Sequence, residues 1–332
     1  MSTSSRRRAS RANGSRRTPS RATGGLAVEV LVTGGAGFIG SALVERLLAE
    51  GHHVEVVDDL STGSLANLSA AREQARHEEA GALRIHQADI HDDGLAALVE
   101  RRHPEVVIHL AGATAKAARR AATQVVHEVA GTVHVLDAAV AAGARKVVCV
   151  AGARAQADVV RGIPARAVHE YLAAYQDRHG LAHTTVVLPT IYGPRQTPAT
   201  ESSVVAVFVQ RALAGQTCVV HGDGTQTRDL LYVDDAVDAL VRAMGHADGA
   251  TVEVGTGIAT TVSDLHATVA RVAGVECSAV PGERRAHEPG EVVTDPRRAA
   301  TLLGWEPWTG LDDGVAQTIE AARAAGTSER GA

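Results

Sequence analysis

Three glycines, Gly34, Gly37 and Gly40, stand three residues apart in the segment V-L-V-T-G-G-A-G-F-I-G (30–40). An apolar, β-rich run at 28–33 precedes them. A helical pattern at 41–50 follows, with Ala42, Leu43, Leu47 and Leu48 on its apolar side and Gly51 as its stop. A strand, a glycine turn and a helix in that order make an anion site. The free N–H groups and partial positive charge of the helix N-terminus face whatever the turn holds. Gly34 permits the tight turn, Gly37 lets the backbone approach a pyrophosphate, and Gly40 lets helix and strand pack closely. Phe38 and Ile39 complete the turn. The next strand, 53–57, ends at Asp58, about the distance at which such sites place an acid on the adenosine ribose. A carboxylate there accepts the ribose hydroxyls and repels a 2′-phosphate. The chemistry expected is therefore the holding of NAD rather than NADP.

The elements that must hold these residues follow in alternation. Further strands are expected at 84–87, 105–110, 146–150 and 184–188, and helices at 93–102, 123–142 and 164–178. Strands alternating with helices imply a parallel sheet with right-handed crossovers. The fold class expected is α/β, a Rossmann-type doubly wound parallel sheet. Past residue 190 the pattern loosens into short strands at 218–221 and 230–233 and helices near 234–244, 263–273 and 312–325. These predict a smaller C-terminal substrate lobe. The organisation expected is a tail at 1–24, a dinucleotide domain at 25–190 and a lobe at 191–332 with some return to the main domain.

Composition agrees with such a core. Hydrophobic residues make up 45% of the 332 and aromatics only 2%, so the core is aliphatic, as suits buried parallel strands. Residues 1–24 hold seven arginines and no acid, and read as a disordered, solvated tail. With a whole-chain charge of −5, the remainder carries about −12, which argues against nucleic acid as a partner. Arg6–Arg8 have no apolar segment directly behind them, as an export signal needs. No apolar run reaches membrane-spanning length. Cys149, Cys218 and Cys277 are odd in number and far apart, so neither a disulfide framework nor a metal knuckle is readable, and a reducing cytoplasm is the expectation.

Several segments carry a family likeness: T-G-G-A-G-F-I-G (33–40), D-D-L-S-T-G (58–63), A-D-I (88–90), H-L-A-G-A (109–113), I-Y-G-P-R-Q (191–196), G-D-G-T-Q-T-R-D-L-L-Y-V-D-D (222–235), V-G-T-G (254–257) and L-G-W-E-P (303–307). Over about residues 27–325 the chain resembles the extended short-chain dehydrogenase/reductases, specifically the nucleotide-sugar epimerase/dehydratase group. The resemblance implies that Asp89 and Ile90 flank the adenine and that Ala111 lines the cofactor site. It implies that Arg228 reaches the substrate pyrophosphate, where a guanidinium fork fits phosphate oxygens, and that Tyr192 and Gln226 shape the pocket. The plainer reading of Arg228 is an ion pair with Asp229 or Asp234. The resemblance also implies a homodimer through the helices at 123–142 and 164–178.

The family's chemistry uses a Tyr and a Lys four residues on, a Ser or Thr after the fifth strand, and an Asn. Residues i and i+4 are neighbours on a helix, so the Lys lowers the Tyr pKa and the Tyr acts as base on a sugar hydroxyl. This chain has only two lysines, Lys116 and Lys146, and none of Tyr171, Tyr175, Tyr192 and Tyr232 is followed by Lys at the fourth position. Aligned on the family pattern, the Tyr falls on Gly162, the Lys on Arg166, the Ser or Thr on Ala151 or Gly152, and the Asn on Glu128. A late phosphate-contacting arginine is replaced by Glu288, with Arg284 or Arg285 nearby. His169, the i, i+4 pair Tyr175 and His179, and Cys149 are other groups that carry acid–base or nucleophilic chemistry. None matches the pattern, so no residue is assigned as catalytic and no metal site is expected. Two functions are expected to compete: an NDP-sugar epimerase/dehydratase with altered machinery, and a non-catalytic NAD- and nucleotide-sugar-binding protein acting as sensor or partner subunit.

Overall fold

The computed structural model describes residues 27–77, 81–112, 123, 125–153, 162–198, 204–284 and 290–328. The arginine-rich segment 1–24, Lys116, Arg285 and Glu288 lie outside the described residues.

The centre is a parallel sheet of seven strands: β1 (Glu29–Thr33), β2 (His53–Asp58), β3 (Leu83–Gln87), β4 (Val106–His109), β5 (Lys146–Gly152), β6 (Ala182–Leu188) and β11 (Ala250–Glu253), in the order β11-β6-β5-β4-β1-β2-β3. Every pairing in it is parallel. The strands are runs of Val, Leu and Ile because both faces are covered. One apolar cluster holds Val30, Val32, Val54, Val56, Val106 and Ile108, and a second on the other face holds Leu31, Val57, Val107 and Val147. Helix α1 (Phe38–Ala49) covers the first face. Helices α3 (Leu95–Arg102), α4 (Gly131–Ala141) and α5 (Gly162–His179) cover the second, with a short α2 (Ser69–Gln74) beside α1. The chain turns back on itself between β1 and β4, so the two halves of the sheet wind in opposite directions from that point. This is the Rossmann-type architecture.

Several elements differ from the sequence expectation, and two of them show why. The single helix expected over 123–142 is α4 preceded by a wider π-helical turn, Val125–Ala130. The Thr132 hydroxyl donates to the Glu128 carbonyl (2.5 Å), and such back-bonding competes with the regular helical ladder. Helix α6 (Val204–Leu213) had no expected element. Its run of valines hides a helical face, since the buried Val205, Phe208, Val209 and Ala212 fall at i, i+3, i+4 and i+7.

The later part of the chain adds β7 (Thr190–Tyr192) paired with β10 (Leu230–Tyr232), β8 (Cys218–His221) paired with β13 (Ala279–Gly282), and β9 (Thr227–Arg228) between β12 (Thr260–Thr261) and β14 (Glu291–Val292). Helices α7 (Val233–Ala243), α8 (Val262–Ala273), α9 (Arg297–Leu303) and α10 (Leu311–Ser328) complete it. No helix among the described residues is long and apolar enough to cross a membrane.

Candidate functional site

At the carboxyl ends of β1, β2 and β4, where the winding reverses, lies a cleft of about 490 Å³. Open α/β sheets bind ligands at this switch point. Gly34, Gly37, Phe38, Ile39, Gly40, Asp58, Asp89, Ile90 and Ala111 all line it. Residues 30 apart and more in sequence are therefore brought to one surface. Gly34 has φ +71, a left-handed conformation that glycine adopts without strain. At Gly40 a Cβ would sit 2.1 Å from the Gly34 carbonyl oxygen, so a side chain there collides with the turn itself. Helix α1 begins beside the cleft with no side-chain cap and no acid in its first turn, which leaves its N-terminal donors for an anion.

Asp58 ends β2 and is buried. Its carboxylate accepts the backbone N–H of Ala36 (2.8 Å) and of Leu60 (2.9 Å), so it braces the glycine turn from below. Each oxygen keeps a further lone pair for a ribose hydroxyl. Val57, Leu110 and Gly112 complete the lining with Asp59, Ser61, Thr62, Ala88, His91, His127 and Val150; of these, Leu110 and Gly112 lie in the H-L-A-G-A segment that the resemblance set on the cofactor, and the others had no assigned role. His91 was findable as the neighbour of Asp89. Its backbone N–H and its ring Nδ1 both lie within hydrogen-bond reach of Asp89 Oδ1, at 2.9 and 2.6 Å, and its Nε2 lies 3.2 Å from the Val126 carbonyl. Burial pushes the Asp89 carboxyl up, but the bonds from His91 and the nearby His127 hold it below the usual carboxylate range. His127 sits on the π turn and packs edge-on against His91, ring centres 5.2 Å apart. No sequence spacing pointed to that pair.

Under the cleft runs a buried polar chain. Thr33 Oγ1 lies 2.7 Å from His109 Nδ1, and His109 Nε2 lies 3.2 Å from Thr132 Oγ1. The Ala111 N–H donates to the same Thr33 oxygen (3.3 Å). Burial, helped by His91, pushes the His109 imidazole down to about 4, so it is neutral and holds the floor in place by hydrogen bonds alone.

Of the residues tied by resemblance to the sugar nucleotide, Gln226 lines a second cavity, and Arg228 and Tyr192 are buried in strands. Gln226 borders a small cavity of about 90 Å³ with His221, Gly222, Asp223, Thr225, Arg284 and Gly290, and its amide donates to the His221 carbonyl (2.7 Å). Arg228 is buried in β9, where its guanidinium donates to the Thr227 carbonyl (2.6 Å). Tyr192 does not line either cavity. It is buried in β7, edge-on to Tyr232, with its hydroxyl against Gly314 of α10. Asp229 is not a surface acid: it is fully buried and accepts from the hydroxyls of Thr256 (2.6 Å) and Thr294 (2.6 Å) and from the N–H of Gly257 (3.0 Å). Trp305 donates its indole N–H to the Asp235 carbonyl (3.0 Å), and Asp235 in turn accepts from the N–H of Thr309 (3.1 Å). The D-D and G-W-E-P segments are thus bound to each other as scaffolding.

Comparison with known proteins agrees with the fold. The model of the NAD-dependent epimerase/dehydratase family matches residues 30–255. The chain belongs to this family. It is 37% identical to a UDP-glucose 4-epimerase of Mycolicibacterium smegmatis, over 88% of this chain and 98% of that protein. Among solved structures, a UDP-glucose 4-epimerase of Thermotoga maritima with UDP-glucose superimposes with a TM-score of 0.82 at 31% identity, covering 89% of this chain and 99% of the other. One from Thermus thermophilus in complex with NAD gives 0.81 at 28% identity, over 89% and 99%.

The positions that the resemblance aligned with the family's catalytic groups are placed as follows. Gly162 is the first residue of α5 and Arg166, one turn on, is exposed. Ala151 and Gly152 end β5, and Glu128 stands on the π turn. The groups weighed as substitutes are placed elsewhere. The Tyr175 hydroxyl donates to Asp137 (2.5 Å). Burial and that carboxylate raise its pKa, the wrong direction for a base. His179 packs against the Tyr175 ring, and His169 is exposed on α5 facing His183, ring centres 6.4 Å apart. Burial pushes the Cys149 thiol up to about 12, so it stays an inert core group. Lys146 begins β5, at the end of the sheet opposite the cleft, and is bound to Asp248 and to the His246 carbonyl (2.6 Å).

Proposed function

We propose that the chain holds NAD in the switch-point cleft and a nucleotide-activated sugar beside it, as an epimerase/dehydratase-type protein whose acid–base groups are degenerate. The observation that supports this most is the convergence of all nine cofactor residues on one cleft, in a chain with no Tyr-x-x-x-Lys pair anywhere. Gly34, Gly37 and the α1 N-terminus suit the pyrophosphate, Asp58 the adenosine ribose, and Asp89 and Ile90 the adenine. NAD supplies a hydride acceptor when bound. Gln226 and Arg228, with Arg284, are the residues proposed for the sugar nucleotide.

Loss of one positioned acid–base group costs about 10²–10⁴ in rate. With Tyr, Lys, Ser/Thr and Asn all substituted, binding and turnover separate. The relatives named above are UDP-glucose 4-epimerases, so UDP-sugars head the candidates and sugar epimerisation is the proposed reaction class. A second reading, a non-catalytic sensor or partner subunit, is favoured by Lys146 and Tyr175, which both serve the scaffold. Helices α4 and α5 with their exposed flanks suit a homodimer, and the working compartment proposed is the cytoplasm.

The deciding measurement is calorimetric titration of residues 25–332 with NAD⁺, NADH and UDP-, GDP- and dTDP-sugars, with NMR of the same samples for epimerised sugar. Slow conversion supports the first reading, and binding without conversion supports the second. An Asp58→Ala variant is expected to weaken NAD by about tenfold or more, since charged hydrogen bonds are worth about 1.5–3 kcal/mol. Failure of the wild-type chain to bind NAD sinks both readings.

A further inference from the structure

Away from the dinucleotide cleft, three side chains from three separate elements converge. Cys218 opens β8 and is buried, Cys277 lies two residues before β13, and His266 projects from the middle of α8. The two sulfurs are 3.4 Å apart. Their Sγ atoms and one ring nitrogen of His266 all lie within 4.8 Å of one another. The Nε2 of His266 is buried and has no hydrogen-bond partner. A buried ring nitrogen without a partner is costly and calls for an explanation. Phe208 packs edge-on against the imidazole, ring centres 5.5 Å apart at 87°, and so fixes its plane.

We infer that Cys218, Cys277 and His266 form a binding site for a soft divalent metal ion, of which Zn²⁺ is the natural occupant. Two thiolates and an imidazole are a zinc donor set, and zinc carries them in tetrahedral geometry with one position left. Zinc–sulfur bonds of about 2.3 Å at a tetrahedral angle put two sulfurs about 3.8 Å apart. The observed separation is within a few tenths of that, whereas a disulfide needs about 2.05 Å. A disulfide also gives the buried His266 ring no partner, whereas a metal takes one of its nitrogens as a ligand. Binding releases two thiol protons to solvent, so Zn²⁺ and two thiolates make a neutral centre. Half-buried Cys277 gives the ion a way in and leaves room for water as the fourth ligand.

The site has a consequence for the lobe. Strands β8 and β13 are paired in parallel, Cys218 opposite Ala279 and His221 opposite Gly282. Both start beside the cysteines and both lead to the small cavity, where His221 and Arg284 stand on the lining. A metal at the start of the pair ties both strands to α8 and fixes the register at the cavity end. The spacing of the ligands, 48 residues from Cys218 to His266 and 11 to Cys277, matches no short motif, which is why no metal site was legible in the sequence.

Cobalt(II) is the probe for the test, used on the full chain reduced, stripped with chelator and freed of both reagents. The expected result is one equivalent bound, with a thiolate-to-cobalt charge-transfer band and the intense visible bands of a tetrahedral centre, displaced by one equivalent of Zn²⁺. Cys277→Ser is expected to abolish the charge-transfer signature of paired thiolates. His266→Ala is expected to weaken Zn²⁺ at least tenfold, the smaller loss seen even for groups one shell further out. Circular dichroism of the metal-free variants shows that they fold. Absence of the band, isolation of a Cys218–Cys277 disulfide from protein never exposed to oxidant, or unchanged affinity in His266→Ala each overturns the site.

Discussion

At the scale of single residues, the cleft depends on a few atoms with no room to move. Gly40 is the clearest case, because its missing Cβ is what lets α1 rest on the turn. Gly40→Ala forces turn and helix apart, and overpacking of this kind costs about 1–3 kcal/mol. The expected outcome is a lower denaturation midpoint together with lost NAD binding, read by urea titration and calorimetry. His109 sets a pH dependence. Its folded pKa, about 4, lies below the ordinary 6.5. Between these values the unfolded chain takes up a proton that the folded chain refuses, so stability is present above pH 6.5 and lost as pH falls toward 4. The shift corresponds to about 3 kcal/mol. Asp235 opposes it. Burial raises its carboxyl to about 6 from 3.8, so the folded state holds a proton the unfolded state has lost and gains stability as pH falls through that window. The whole-protein profile mixes the two, and a difference isolates one. The stability margin of wild type over His109→Asn is expected to shrink by about 3 kcal/mol from pH 7 to pH 4, measured by denaturant unfolding.

At the scale of elements, the position of Lys146 decides what it does. It begins β5 and ties that strand to the loop ahead of β11 through the His246 carbonyl and Asp248. Asp248 is largely exposed, so removing the ammonium leaves no buried charge behind. Lys146→Met is expected to cost about 1.5–3 kcal/mol of stability, the range for a charged hydrogen bond, and to leave NAD affinity unchanged. A coupled loss of NAD affinity in calorimetry would contradict that placement. The same distinction explains what was legible in the sequence. Strands β1 and β2, the glycine turn and Asp58 could be read because local periodicity, turn chemistry and spacing all act within about 30 residues. Helix α6 could not, since its valines mask the helical period. Strand β11 could not be placed in the central sheet, since its partner β6 lies some 60 residues earlier and no local signal records that pairing. Tyr192 illustrates the limit in the site. Its motif marks the family, but only packing against Tyr232 and Gly314 reveals that its ring belongs to the core. The His91–His127 pair and the Cys218–His266–Cys277 cluster are likewise products of tertiary contact.

At the scale of the whole molecule, the distribution of apolar surface bears on assembly. Val125 and Val126 on the π turn, and Ile163 and Tyr171 on α5, are between 43% and 53% exposed. They belong to neighbouring elements on one side of the sheet, while most aliphatic groups of the sheet strands are buried. An apolar patch on a chain of net charge −5 is unfavourable in isolation and is relieved when a second copy covers it. A two-fold pairing is self-complementary, since the same patch serves both copies. Such an interface also bears on the cleft, because the π turn that exposes Val125 and Val126 carries His127 into the cleft lining and holds His91 through the Val126 carbonyl. In such a dimer, assembly and cofactor binding would share a structural element. Light scattering on the purified chain is expected to give a dimer, and Val126→Glu with Ile163→Glu to give a monomer whose NAD affinity falls as well. A monomeric wild type would refute the pairing. A monomeric variant with undiminished NAD affinity would separate the π turn's two duties, leaving the interface in place as an independent feature of the fold.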